Sequence, residues 1–592
     1  MFDLVYLASK SIGTRRVIHN LMRHDVWRIR IGMYLRVTQR RNNDGSTVRY
    51  YQLAENVWDP ERACAVAHVV HNFGRADQLD AEKLRRLARS ILRICSDDAS
   101  LAVENSEITI RESRAYGGIW VLEQLWKELE IGPLFKSHAK SLRTAKPFER
   151  ALFAMVANRA LSPYSKLYCW EQWLREEVFF PGSQGIELHH LYKAMDLLEA
   201  HKAEIEKAIF FKMADLTNAD VDIIFYDTTS LHFEIDEEDE IEQQRFGNTY
   251  SPLRKRGHSK NGRTDAPQIV VGLAVTRDGF PVRSWVFTGN AADVTTVETV
   301  KKDLKGWRLG RCVFVGDAGM NSEENRHKLA LGNGKYILGS RMRAGDEVSK
   351  DVLARPGRYH DVKENLRIKE VLVGDGERHR RYVVCHNPAE EKRQRDHREK
   401  LVQLLEAEIA SLEQGDEHSK RACELVASAR FGRYLRQTST GKLRIDRAAI
   451  EEAARYDGKW VITSNDDTLT AEDLALGYKQ LMRVECCWRQ MKSGLRTRPI
   501  FHHRPWRIQA HVSICVLALL LERIAETRVG DTWRNIVAKL GTIKVVEYDR
   551  AQARVHQTTQ VRADVAGLLK QLKVSQPPEI HGVTEISSPS TA

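Results

Sequence analysis

Cysteine is sparse in this 592-residue sequence and badly placed for cross-linking. Nine cysteines, at 64, 95, 169, 312, 385, 423, 486, 487 and 515, are scattered, and none forms a Cys-x2-Cys pair. Neither a disulfide framework nor a zinc site is therefore expected, and a reducing compartment fits. Long apolar runs are missing as well. The longest, Val512 to Leu521, broken only by Ser513, has ten residues, too few to cross a bilayer. No basic segment with a small-residue cleavage site follows the start, so no signal peptide is expected. There is no phosphate-binding P-loop, because Gly332-Asn333-Gly334-Lys335 lacks the leading glycine spacing and the Ser/Thr. These absences lead to the expectation of a soluble cytoplasmic protein with no membrane partner.

What the chain does have is cation. Lys and Arg number 92 against 80 Asp and Glu, a formal charge of +12. A basic balance of this size suits a polyanionic partner, most simply nucleic acid. At this length several folding units are expected rather than one core.

Read in order, residues 1–32 are basic and irregular and are expected to be a disordered extension, with Met33 a tidier start. Residues 33–80 read as a β-hairpin region: Met33–Val37 and Thr47–Leu53 flank an Asp44-Gly45 turn. From 81 to 217 the period turns helical, beginning with Ala81–Leu92 and continuing at 117–130, 147–161, 165–176, 188–200 and 202–213. This helical region could recognise DNA ends, or be a plain bundle with a solvated basic face. Residues 218–340 change character again. Val221–Tyr226 is an apolar run of the kind buried on both faces of a sheet, and strands follow at Gln268–Thr276 and Phe280–Phe287 around an Arg277-Asp278-Gly279 turn. Gly289-Asn290-Ala291-Ala292-Asp293 reads as the cap of a helix over 294–304, before a strand at 311–316, a helix at 322–331 and a strand at 335–340.

Three strands, helix, strand, helix, strand is the ribonuclease-H-like order, an α/β core that still wants a last acidic helix. That helix comes only at about 472–492, within a second core segment (471–571) read as helical after Arg498. Residues 341–470 are thus expected to be an α+β insertion domain, with strands at 367–373, 380–385 and 460–464 and a charged helix at 390–412. Residues 572–592, with Pro577-Pro578 and a Ser/Thr-rich end, read as a disordered tail.

Three carboxylates stand out. Asp227 and Asp317 each follow an apolar strand, where α/β sheets place their sites. Glu485 lies on the late helix, where Tyr478, Glu485 and Lys492 are spaced seven apart and share one face, with Arg489 close by and Arg496 too if the helix continues past Gly494. Taken singly, each Asp reads as a turn or helix cap, and Glu485 with Arg489 as a solvated i,i+4 pair. Together they match what two-metal phosphoryl chemistry needs: several carboxylates converging on two divalent ions about 3.5–4 Å apart. From Trp488 to Arg507 there are six cations and no acid (Arg489, Lys492, Arg496, Arg498, Arg504 and Arg507), a pattern suited to a DNA-lining surface.

Phe225-Tyr226-Asp227-Thr228-Thr229-Ser230, Gly316-Asp317-Ala318-Gly319-Met320 and the Tyr478…Glu485…Lys492 helix resemble the three acidic motifs of bacterial DDE insertion-sequence transposases. The subgroup is the IS-four-like one, with its Tyr-x2-Arg-x3-Glu-x6-Lys signature. The resemblance extends through Gly257-His258-Ser259-Lys260-x2-Arg263-x-Asp265 and Arg498-Pro499-Ile500-Phe501-His502, nearly the whole chain from Met33 to Gln571. One position departs: Leu481 stands where the signature has Arg. The resemblance implies a cut-and-paste transposase in which Asp227, Asp317 and Glu485 hold two Mg2+ ions, with Mn2+ able to substitute. It implies DNA contacts from Tyr478, Lys492, Arg489, Arg496, Arg498, Lys260 and Arg263. It also implies inverted-repeat ends and target DNA as partners, a homodimer on DNA, and a nucleoid location. Two other readings remain open: a transposase-derived DNA-binding protein that no longer cuts, and a ribonuclease-H-like nuclease that cuts without joining.

Overall fold

The computed structural model describes residues 33–585 except 42–46, 60–61, 63, 79–85, 88–107, 139–144, 218–220, 261, 308, 310–311, 344–346, 375–378, 413–417, 440–441 and 551–552. The expected extension 1–32, the Asp44-Gly45 turn and most of the expected helix 81–92 lie outside the described residues. The chain divides into two compact units between Glu107 and Ile108.

In the first unit the expected hairpin gains a third strand. Strands β1 (Tyr34–Arg41), β2 (Thr47–Asp59) and β3 (Cys64–Arg75) form one antiparallel sheet in that order.

The second unit opens on a strand rather than a helix. Strand β4 (Ile108–Ala115) precedes helices α1 (Gly117–Glu128), α2 (Ile131–His138) and α3 (Ala145–Leu161). A short turn, Lys166–Tyr168, runs on into a π-helical stretch, Cys169–Glu177; then come α4 (Leu188–Ala200) and α5 (Lys202–Thr217). The main sheet follows with β5 (Ile223–His232), β6 (Gln268–Thr276) and β7 (Pro281–Thr288), helix α6 (Asp293–Gly306), β8 (Val313–Gly316), α7 (Glu323–Ala330) and β9 (Lys335–Ser340).

The stretch expected to stand apart as an insertion joins this sheet. Its strands β10 (His360–Lys363), β11 (Leu366–Val373), β12 (Arg380–His386) and β13 (Lys459–Ser464) extend it to nine strands in the order β10-β11-β12-β13-β9-β8-β5-β6-β7. The junction is the antiparallel pairing of β13 with β9, Ile337 opposite Ser464. An unpaired β9 edge would leave a row of backbone donors and acceptors open, and β13 satisfies them. Helix α8 (Pro388–Leu412) spans the same segment and buries Leu401, Leu405 and Leu412.

The late helix is not one rod. Helix α9 (Ala471–Lys479) stops and α10 (Met482–Arg489) restarts, after which the chain runs π-helical over Gln490–Gly494. Between α9 and α10 the backbone N–H groups of Gln480, Leu481 and Arg483 donate to carbonyls three residues back. That local tightening turns the chain without leaving its polar groups unpaired.

Helix α11 (Pro505–Val529) is the hydrophobic centre of the unit, buried along nearly its whole length. Pro505 stands at its start and Gly530, at φ +74°, at its end. It is long and apolar enough to cross a bilayer by length alone, yet 89% of its most apolar window is covered by protein. The segment after it was expected to be helical throughout. Instead, after helix α12 (Trp533–Leu540), β14 (Lys544–Arg550) and β15 (Ala553–Thr558) follow, then α13 (Ala563–Gln571). The expected disordered tail supplies a further strand, β16 (Ile580–Glu585), completing a sheet in the order β16-β15-β14-β4. That strand is held at its entry: Thr558 Oγ1 donates to the Pro578 carbonyl at 2.7 Å, and the His581 ring meets Tyr116 edge-on.

Candidate active site

The site is set by a parallel register. Strand β8 lies parallel to β5, with Val313 opposite Ile223 and Val315 opposite Phe225, and it ends at Gly316. Continuing that register one for one brings Asp317 level with Asp227. Asp227 is not past the end of its strand, as the apolar run suggests; β5 continues to His232, paired on its other side with β6, where Asp227 faces Leu273. The strand extends because β6 keeps pairing it, while β8 turns away. Asp317 makes that turn, accepting the Gly319 amide at 2.6 Å as the cap of a single 3-10 turn.

Asp227 is largely buried. Burial pushes its carboxyl up to about 6; the nearby Lys260 ammonium opposes the rise, and the charges of Asp317 and Asp293 add to it. Lys260 stands 3.7 Å from Asp227 Oδ1 and 3.0 Å from Asp293 Oδ2, and it donates to the carbonyl and hydroxyl oxygens of Thr228 at 2.8 Å each. The Thr228 hydroxyl in turn donates to Asp293. The loop carrying Lys260 is tied to the strand through its own amide, which donates to Ser230 Oγ at 3.0 Å.

Asp293 is the residue that the sequence reading passed over as part of a helix cap. Ala292 takes the cap position, without a side-chain bond, and the Asp293 carboxylate turns to Lys260 and Thr228 instead. Gly319 shows how near it is to Asp317: a Cβ there would lie 3.0 Å from Asp317 Oδ1 and 3.3 Å from Asp293 Oδ2. The signal in the sequence was a carboxylate at the strand-to-helix connection, the same kind of place as Asp317.

Glu485 comes from α10 and is exposed. Tyr478 links it to the strand acids despite the break between α9 and α10. The Tyr478 hydroxyl is pushed up, first by burial and then by the charges of Asp317 and Glu485, with Asp227 adding less. Gly339 makes room for it: a side chain there would collide with the Tyr478 hydroxyl and reach within 2.9 Å of the Ala318 amide nitrogen. Among the described residues, Asp227, Asp317 and Glu485 do not have ligand atoms all within 4.8 Å of one another. The charges of all three act on Tyr478.

Besides Tyr478, two of the expected DNA contacts, Lys260 and Lys492, stand near these acids. Lys260 is described above. Lys492 has its ammonium pushed down, first by burial and then by Arg498 and Lys260, while Asp227 pulls it up. Arg498 donates to His232 at 2.6 Å. Arg263 is turned toward its own loop, 2.9 Å from Asp265 and 3.6 Å from Glu234. Arg489 is exposed on α10. The helix does not continue past Gly494, so Arg496 leaves the shared face; it has φ +45° and its guanidinium lies over the Tyr164 ring at 5.9 Å. Leu481, in the signature Arg position, is buried at the turn between the two helices. Beside Lys260 and Asp293 a cavity of about 400 Å3 opens, lined also by His258, Asn321 and Arg341.

Carboxylate oxygens are the donors that hard divalent cations take, and two of the four acids here, Asp227 and Asp293, already face one ammonium. Asp227, Asp317, Glu485 and Asp293 supply that chemistry.

Two family models match the chain. Residues 239–521 match the transposase DDE domain, a span that takes in Asp293, Asp317 and Glu485 and begins after Asp227. Residues 35–102 match the N-terminal domain of the IS1634 family of transposases. No curated protein matches the chain. Among solved structures, the piggyBac transposase synaptic complex with hairpin DNA is 10% identical, with 67% of this chain and 70% of that chain covered and a TM-score of 0.33. With both transposase models matched in sequence order, over more than half of its length, the chain belongs to the bacterial insertion-sequence DDE transposases.

Proposed function

We propose that this transposase excises and inserts its element by cut-and-paste chemistry, with Asp227, Asp317 and Glu485 as the metal-holding acids. The observation that carries the reading is the level placement of Asp227, within β5, and Asp317, at the turn that ends the parallel β8, with the charge of Glu485 acting on the same tyrosine from a third element. The order β5, β6, β7, α6, β8, α7, β9 supports a ribonuclease-H-like core, with residues 341–470 inserted before the last acidic helix and pairing onto its sheet.

Two Mg2+ ions, or Mn2+ in their place, would supply activation of the attacking hydroxyl and charge relief at the leaving oxygen. Asp227 and Asp317 are fixed by strand register and by the capped turn. Glu485, exposed on α10, is the member free to adjust as DNA docks. Lys260 neutralises Asp227 and Asp293 in the DNA-free protein, and its ammonium is within reach of a phosphate entering the same space. Tyr478 and Lys492 flank the acids and would grip the backbone near the cut; Arg489 and Arg498 extend the cationic surface. Arg263 and Arg496 are engaged elsewhere and would have to be released to touch DNA. Inverted-repeat ends and target DNA are the substrates, a homodimer is the assembly that bridges two ends, and the nucleoid of the cytoplasm is the place of action.

The test is cleavage of a supercoiled plasmid carrying the element's ends, with wild type compared against Glu485→Gln. Release of the element in Mg2+ or Mn2+ by wild type, with binding but no cleavage by the variant, supports the assignment. Binding without cleavage by both proteins in either metal overturns it.

A further inference from the structure

A second metal centre lies outside the acidic site, and its ligands are histidines. His138 ends α2, His201 closes α4 and leads into α5, and Glu204 stands in the first turn of α5. Their ligand atoms all lie within 4.8 Å of one another, the sole such group of His, Cys, Asp or Glu among the described residues. Both Nδ1 atoms face one carboxylate oxygen: His138 Nδ1 is 3.5 Å and His201 Nδ1 3.9 Å from Glu204 Oε2.

The spacing suits a tetrahedral ion. With zinc bonds of about 2.0–2.1 Å, two ligand atoms on a tetrahedron sit about 3.4 Å apart. The 3.5 Å pair is already there, and the 3.9 Å pair needs a few tenths of an ångström. The two imidazoles are stacked, 4.4 Å between centroids and 28° between planes, so one ring must turn for both in-plane Nδ1 lone pairs to reach the same ion.

We propose that His138, His201 and Glu204 form a three-ligand zinc site. Two imidazoles and one carboxylate are a donor set that zinc favours and magnesium does not. Glu204, whose side chain is 70% exposed, leaves the fourth position open to water. The site ties the end of α2 to the α4–α5 corner. That corner is itself seated on the catalytic sheet: Lys202 donates to the Ser284 carbonyl of β7 at 2.8 Å, and Ser284 Oγ donates to Glu206 at 2.9 Å. Zinc here would stiffen the seat of the helical layer on the edge of that sheet. The missing Cys-x2-Cys pair hid the site, because its ligands come from three helices and His138 lies far from the other two in sequence.

The test uses the full chain without a histidine tag, stripped by chelator and dialysed against Zn2+ or Co2+. Wild type and Glu485→Gln are expected to retain one equivalent of zinc and to give the visible absorption of tetrahedral Co2+. Glu204→Gln, an exposed change that leaves the fold intact, is expected to weaken zinc binding by more than about tenfold. Zinc should also raise the melting temperature of wild type and not that of Glu204→Gln. Zinc retention by wild type no greater than by Glu204→Gln and by the His138→Ala, His201→Ala double variant would overturn the proposal, leaving a histidine pair facing a carboxylate.

Discussion

The Asp293 carboxylate lies 3.0 Å from the Lys260 ammonium, closer than Asp227 at 3.7 Å, so one lysine is shared between a motif acid and an acid from the next helix. Lys260 therefore reports on both carboxylates at once, and changes to any of the three residues should be coupled.

Removing Asp293 tests that coupling. Asp293→Asn is expected to free Lys260 to pair more closely with Asp227 and to raise the Mg2+ concentration needed for half-maximal cleavage by about 10–100-fold, the usual effect of losing an outer partner of a metal site. A magnesium titration of plasmid cleavage reads it. An unchanged midpoint would show that Asp293 does not act on the site.

Asp227 should make stability pH-dependent. Its folded value, about 6, lies above the ordinary 3.8, so the folded protein binds the proton more tightly. The stability this gives is fully present below about pH 4 and is lost as pH rises through about 6, a change on the order of 1–3 kcal/mol. Melting curves of wild type and Asp227→Asn in chelator, from pH 4 to 8, should therefore converge at the acid end and separate above pH 6, with the variant the more stable. Added Mg2+ should shrink the gap.

Glu485→Gln should separate chemistry from folding. The side chain is exposed, so the melting temperature should barely move, corresponding to less than about 0.5 kcal/mol. Cleavage should fall by at least about a thousandfold, roughly 4 kcal/mol in the barrier. A melting curve and a cleavage time course on the same preparation decide both parts.

Gly339 is the tightest point behind Tyr478. Gly339→Ala should push the tyrosine off the sheet, costing about 1–3 kcal/mol and most of the cleavage rate. Adding Tyr478→Phe removes the colliding hydroxyl and should restore part of the stability without restoring cleavage. The Ala318 amide, 2.9 Å from the added carbon, keeps the rescue incomplete. Denaturant unfolding of the single and double variants gives the comparison.

The sequence by itself determined the elements whose cause is local. The apolar run before Asp227, the Arg277-Asp278-Gly279 turn and the alternation of strands and helices from 268 to 340 follow from burial and turn chemistry within a few residues. It also made Asp227 and Asp317 stand out, as carboxylates in or just after apolar strands, and Glu485, by its seven-residue spacing from Tyr478 and Lys492. Tertiary structure decided what depends on pairing at a distance. Strand β5 runs past Asp227 because β6 stays beside it, and β13 joins β9 because an open edge must be satisfied. Residues 580–585 became a strand, against their tail-like composition, because β15 offered them an edge. Asp293 turned from the helix end to Lys260 because the loop carrying Lys260 is bound to β5. The helix carrying Tyr478 and Glu485 broke at 480–481, which periodicity alone did not show, and the charge of Glu485 still acts on Tyr478. Local patterns fix which residues are apolar, charged or turning; which charge meets which is fixed only when distant strands settle their register.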